Sequence, residues 1–174
     1  MIGDQRQDRV LSIYPHAKGF AFALFEGPMS PIRWGKEEIR GEGRNARSFA
    51  AAKRLMESVQ FDILALEECS PPGRRRATQV GRLQRLLQSH AALQAIEVQM
   101  FTRKQVHECF EALGATTRYE RAQMIASQVQ VEAFSHRLPP ARKSWMTESP
   151  WMRLFDAAAV VMAVYRRLGD ELPL

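Results

Sequence analysis

Few cysteines, no long apolar run and no histidine–cysteine spacing mark this 174-residue sequence, and each absence removes a class of protein. The two cysteines, Cys69 and Cys109, form no CxxC pair and no zinc-type spacing with histidine, so they read as reduced thiols. No apolar stretch reaches the roughly 18 residues that a membrane span requires. The opening residues, Met1 to Asp8, are polar and carry no signal-peptide core, so a cytoplasmic protein without membrane partners is expected. No repeat, low-complexity tract or long linker divides the chain.

What is present suits one globular α/β unit. Hydrophobic residues make up 45%, enough for a real core, and the formal charge of +6 favours polyanions as partners. We divide the chain into a polar tail over 1–9, a domain over 10–168 and a short tail over 169–174.

Short apolar runs at Val10–Tyr14, Phe20–Glu26 and Ile32–Lys36, joined by tight turns, predict an antiparallel meander. Apolar spacing predicts a helix over Ala46–Val59, a buried strand over Phe61–Glu67 and a basic helix over about Arg76–Leu93, with Val80, Leu83, Leu86, Leu87 and Leu93 as its apolar stripe. A strand over Ile96–Phe101 follows. Thr102 is an N-cap for a helix ended by Gly114, and Thr117 opens another, to about Phe134. A basic, proline-bearing loop spans His136–Pro150, and Trp151–Leu168 is an apolar helix. The strand–helix–strand units require parallel crossovers, so the sheet is mixed and five-stranded, with helices on both faces.

Two carboxylates stand out against apolar surroundings: Glu67 at the end of a buried strand and Asp156 ahead of an alanine–valine run. An ionised acid in a core needs a partner or a metal. Facing one crevice, these two suit Mg²⁺, which takes one or two protein carboxylates and fills its shell with water and phosphate oxygens. The ordinary alternative is an acid facing solvent at a strand end, or one favouring a helix dipole. Glu68 points to the opposite face by strand alternation.

The order of these elements resembles the RuvC-like branch of the RNase H-like superfamily, the Holliday-junction resolvases. Val10-Leu11-Ser12-Ile13-Tyr14-Pro15 is similar to the family's first strand, and Gly19 to Glu26 to its second. Asp62-Ile63-Leu64-Ala65-Leu66-Glu67-Glu68 is similar to the segment with the catalytic glutamate. Gln99 to Val106 is similar to the last strand and following helix, Gly114 to Met124 to a glycine turn and helix, and Phe155 to Val160 to the closing aspartate–alanine helix. The resemblance covers about Val10 to Leu168. It implies Glu67 and Asp156 as catalytic and metal-binding residues, Mg²⁺ or Mn²⁺ as cofactor if the site is catalytic, branched DNA as partner, and a homodimer.

The departures are as informative. The family's first aspartate falls on Tyr14, and an acid or histidine one turn before Asp156 falls on Arg153. A helix lysine falls on Tyr119, beside Arg118. Tyrosine is a poor Mg²⁺ ligand at neutral pH. Arg153 puts fixed positive charge where a cation belongs, either standing in for it or pairing with Asp156. The resemblance therefore implies a DNA-binding protein with weak or lost nuclease activity. The alternatives are an active endonuclease whose missing ligand comes from His16, Glu26 or a partner chain, and an assembly protein that keeps only the fold. For nucleic acid, Arg74, Arg75 and Arg76 beyond the Glu67 strand are candidate phosphate contacts, with Arg82 and Arg85 continuing along the helix. Arg103, Lys104 and Arg118 are further candidates, and Arg142 and Lys143 beside Trp145 add potential phosphate and stacking contacts.

Overall fold

The computed structural model describes residues 6–68, 75–170 and 172, with side chains 75–77 excepted. Arg74 lies outside the described residues, and so do the side chains of Arg75 and Arg76. Strands β1 (Val10–His16), β2 (Gly19–Phe25) and β3 (Pro31–Glu38) form the meander. Then come α1 (Arg44–Ser58), β4 (Ile63–Glu67), α2 (Arg75–Leu93), β5 (Glu97–Phe101) and α3 (Arg103–Glu111). The chain closes with α4 (Arg118–Gln128), α5 (Glu132–Ser135) and α6 (Met152–Arg167). The sheet order is β3-β2-β1-β4-β5. β1 pairs antiparallel with β2 and parallel with β4, and β4 pairs parallel with β5. This is the mixed five-stranded sheet that the turn lengths require. No helix of the described residues is long and apolar enough to cross a membrane.

Strand alternation divides the core into two layers. Leu11, Ile13, Phe20, Phe22, Leu24, Leu64 and Leu66 face α1 and α2. Val10, Ala23, Phe25, Ile63, Ala65 and Phe101 face α3, α4 and α6. On this second face Ala23, Ser12 and Ala65 lie in register across β2, β1 and β4. A row of such small side chains lets the alanine-rich helix α6 sit close to the sheet. Every residue of α6 from Leu154 to Tyr165 is buried, Asp156 among them. At its far end the Tyr165 hydroxyl lies 2.7 Å from the Asp8 carbonyl and 3.1 Å from that of Phe25, fixing the helix along its axis.

Two sequence expectations are corrected. The helix beginning at Thr117 does not run to Phe134. It stops at Gln128, because Val129 turns extended and buries its side chain, and α5 starts afresh at Glu132. Val129 and Val131 are β-branched and give up helix readily. The Ser135 hydroxyl then donates to the Ala126 carbonyl at 2.7 Å, closing the bend. On α2 the buried stripe is Leu83, Leu87 and Ala91, spaced four apart, while Leu86 and Leu93 are exposed.

The close seating of α6 can be tested directly. Ala65→Leu places three extra carbons under the helix, an overpacking that costs about 1–3 kcal/mol. Urea unfolding checks this: the midpoint falls with the slope unchanged.

Candidate functional site

The site lies beyond the paired stretch of β1 and β4, where Tyr14 on β1 has passed the last β1–β4 pair and Glu67 closes β4. Two arginines reach it, and the sequence delivers them in the same way. Arg103 is the first residue of α3 and Arg118 the first residue of α4. Each follows a threonine N-cap that forms a full capping box, Thr102 with Gln105 and Thr117 with Glu120. For α4 the box is reinforced. Glu120 accepts from the backbone N–H groups of Thr116 and Thr117 at 2.8 and 3.1 Å and from the Thr116 hydroxyl at 3.0 Å. These bonds hold the Glu120 carboxyl below its ordinary pKa. Gly114, at φ 92°, supplies the left-handed turn that precedes it. An arginine in the first turn works against the helix dipole. Neither guanidinium is there for helix stability, and each goes to a carboxylate.

Arg118 forks onto Asp156. Its Nε donates to Oδ1 at 3.0 Å and its Nη2 to Oδ2, while Nη1 is paired with Glu148. Asp156 is only 6% exposed, so the pair is what makes an ionised carboxylate tolerable there. Arg103 Nε donates to Glu67 Oε1 at 3.4 Å and also reaches the Tyr14 hydroxyl. Burial pushes the Glu67 carboxyl above its ordinary range; Arg103 opposes this and Asp156 adds to it. Burial likewise pushes the Tyr14 phenol well up, and the charges of Asp156 and Glu67 act in the same direction. Tyr14 is thus a neutral hydroxyl set among two carboxylates and two guanidiniums.

Both carboxylates singled out in the sequence, with Tyr14, fall within electrostatic reach of one another. Of the two readings of Arg153, the pair with Asp156 is not the one seen among the described residues. Among the described residues the ion pair to Asp156 comes from Arg118, and the charge of Arg153 acts on His16. Arg153 stands one turn earlier on α6, and the fork of Arg118 already occupies both Asp156 oxygens. Glu26 lies at the other end of the strands: it pairs with Arg9 at 3.6 Å and adjoins Phe25, the partner of Val10. Tyr14 is four residues further along β1, about 13 Å away at strand rise, so Glu26 does not replace the missing acid.

His16 Nδ1 accepts from the Lys18 backbone N–H at 3.1 Å, a turn contact rather than a ligand position. Glu68 is exposed. Lys104 is exposed and pairs with Glu108 at 3.6 Å, and Arg82 and Arg85 are exposed on α2. Lys143 stands over the Trp145 ring at 5.3 Å, and Arg142 donates to the Met146 carbonyl at 2.9 Å.

Glu148 is the site residue that sequence reasoning missed. Its only signal is that it is the lone acid between His136 and Pro150, a segment otherwise basic. The donor set as it stands does not fit a two-metal centre. No three potential ligands cluster among the described residues, and Asp156 and Glu67 each already hold a guanidinium. A divalent cation would have to displace Arg118 before reaching Asp156.

The pH dependence of His16 gives a test. Burial, with Arg153 acting in the same direction, lowers its pKa to about 4. The unfolded chain takes up this proton below its ordinary pKa near 6.5. Folding stability is therefore lost as pH falls from about 6.5 toward about 4, and this contribution levels off below, where the folded imidazole also titrates. In His16→Asn, whose amide oxygen can still accept from Lys18, chemical denaturation at pH 7 and pH 4.5 should show a smaller loss than in the parent protein.

No protein-family model and no curated protein matches the chain. Solved structures do. Thermus thermophilus RuvC in complex with a Holliday junction substrate superposes with a TM-score of 0.64 at 16% identity, covering 97% of this chain and all of the other. Thermus thermophilus RuvC alone gives 0.65 at 17% identity, covering 95% and 99%. The yeast mitochondrial Holliday junction resolvase Ydc2 gives 0.60 at 15% identity, covering 94% and 85%. With β3-β2-β1-β4-β5 order and helices on both faces, the chain has the RuvC-type form of the RNase H-like fold.

Proposed function

We propose that this protein binds branched or structured DNA as a homodimer, and that its phosphodiester-cleaving activity is weak or lost. The observation that carries the reading is the pairing of Arg118 with Asp156 and of Arg103 with Glu67. Fixed guanidiniums stand against both acids of a cleft built on a junction-resolvase fold. A guanidinium carries charge and forked donors for phosphate oxygens, but it cannot lower the pKa of a bound water as a metal does. The same exchange that disfavours hydrolysis therefore favours phosphate binding.

The basic surface supports the reading. Arg103 and Arg118 sit at the positive ends of α3 and α4, where anions are favoured. Lys104 follows Arg103, and Lys143 with Trp145 offers charge and an exposed ring for stacking. Arg74, Arg75 and Arg76 follow Glu67 closely in sequence and extend the phosphate contacts in this proposal. On α2, Leu86 and Leu93 stay exposed seven residues apart on one side of the helix, an apolar strip consistent with pairing of two copies. Mg²⁺ or Mn²⁺ held by Glu67 and Asp156 belongs to the competing reading of an active endonuclease.

Binding and cleavage assays separate the readings. With a four-way junction and a linear duplex of equal length, over a salt series, we expect tighter binding to the junction and a steep loss with salt. With Mg²⁺ or Mn²⁺ present we expect no cleavage. Equal affinity for both DNAs and for an unrelated polyanion would remove the DNA reading. Cleavage abolished by Glu67→Gln or Asp156→Asn would establish the endonuclease instead.

A further inference from the structure

Arg118 has two carboxylates on one guanidinium, and they are not equivalent. Asp156 takes the Nε/Nη2 edge from inside the protein and is almost wholly buried. Glu148 takes Nη1, with its side chain 31% exposed and that of Arg118 41% exposed, while the Oε1 that meets Arg118 is itself covered. The Asp156 pair is held by two donors from a buried helix. The Glu148 pair rests on one donor and on a segment without regular structure, so it is the more easily exchanged of the two.

Glu148 belongs to a strap over residues 136–151 that has no helix or strand. The strap is fastened at its two ends. The Tyr119 hydroxyl donates to the Pro139 carbonyl at 2.9 Å. At the other end Trp151 lies under Arg137 at 4.3 Å and near Lys36 at 5.2 Å. Between these anchors residues 140–147 are all exposed, including Arg142, Lys143 and Trp145, the last 77% exposed. A basic, outward-facing strap thus places its lone acid on an arginine of the site.

We propose that the Glu148 carboxylate occupies the phosphate position on Arg118, and that a nucleic-acid phosphodiester binds by displacing it and freeing the strap. Carboxylate and phosphate present matching oxygens to a guanidinium fork, so one can replace the other on the same donors. The exchange costs the protein the Glu148 pair, which the phosphodiester oxygen replaces on Nη1. Asp156 keeps Arg118 oriented throughout. Once Glu148 is displaced, the strap carries Arg142, Lys143 and Trp145 as a positively charged stacking element for the same strand. The strap is then both the occupant of the site when nucleic acid is absent and a contact when it is present. This inference rests on the proposed DNA binding and adds which site residue is exchanged.

The experiment uses the full chain and a fluorescently labelled four-way junction, read by anisotropy. Glu148→Gln keeps the size and the polar end but removes the competing charge. Glu57→Gln, on the exposed surface of α1, makes the same change in net charge away from the site. We expect Glu148→Gln to bind at least roughly threefold more tightly than the parent, as loss of a competing carboxylate predicts, and Glu57→Gln to differ little. Without DNA, trypsin should cut after Arg142 and Lys143 faster in Glu148→Gln than in the parent. Equal affinities for the two variants, or unchanged trypsin cutting, would overturn the displacement while leaving DNA binding intact. Binding by Glu148→Gln alone would support it in its strongest form, with the parent fully self-blocked. No binding by any of the three proteins would overturn both proposals together.

Discussion

A buried carboxylate that must have a cation organises this molecule. Asp156 sits on a helix whose every side chain from Leu154 to Tyr165 is covered, and Arg118 forks onto it there. Removing one member of such a pair costs about 3–5 kcal/mol, far more than the pair itself contributes. Much nearby local structure serves to bring that arginine in. The Gly114 turn, the Thr117 cap and the reinforced Glu120 box set where α4 begins and so where Arg118 emerges. The row of Ala23, Ser12 and Ala65 sets how deep α6, and therefore Asp156, lies.

The second acid repeats the solution in a softer form. Glu67 is capped by Arg103 from the start of α3, again one residue after a threonine, and Tyr14 fills the space between. Two acids and two arginines thus set opposite charges against each other. The backbone plan is shared with RuvC across nearly the whole of both chains. Fold alone does not carry activity, and here the first strand brings a neutral phenol, Tyr14, to the site.

The fold was legible because its signals are local. Short turns dictated the meander, crossover lengths dictated the parallel pairs, and Thr102 and Thr117 announced their helices. Glu67, Asp156 and Tyr14 could be singled out because each is odd in its setting: an acid after Leu64-Ala65-Leu66, an acid before Ala157-Ala158-Ala159, a tyrosine at the end of an aliphatic strand. What could not be read was pairing across space. Arg153, three residues from Asp156, allows a pair with it as one of two readings, yet the partner is Arg118, thirty-eight residues away in sequence. Glu148 gave no periodic signal, since it lies in a segment without regular structure, and its significance appears only once Arg118 is placed. The break at Val129 was hidden for a similar reason: a valine's preference for burial outweighed helix continuity, and burial depends on what packs above it.

Arg118 and Arg103 hold Asp156 and Glu67, and Mn²⁺ titration followed by electron paramagnetic resonance shows whether a divalent cation can compete for them. With the parent protein the free-ion signal should persist at millimolar Mn²⁺. Replacing Arg118 by methionine should open a site whose binding is lost again with Asp156→Asn. Stoichiometric uptake of Mn²⁺ by the parent protein, abolished by Glu67→Gln, would contradict this hold of the arginines on the acids.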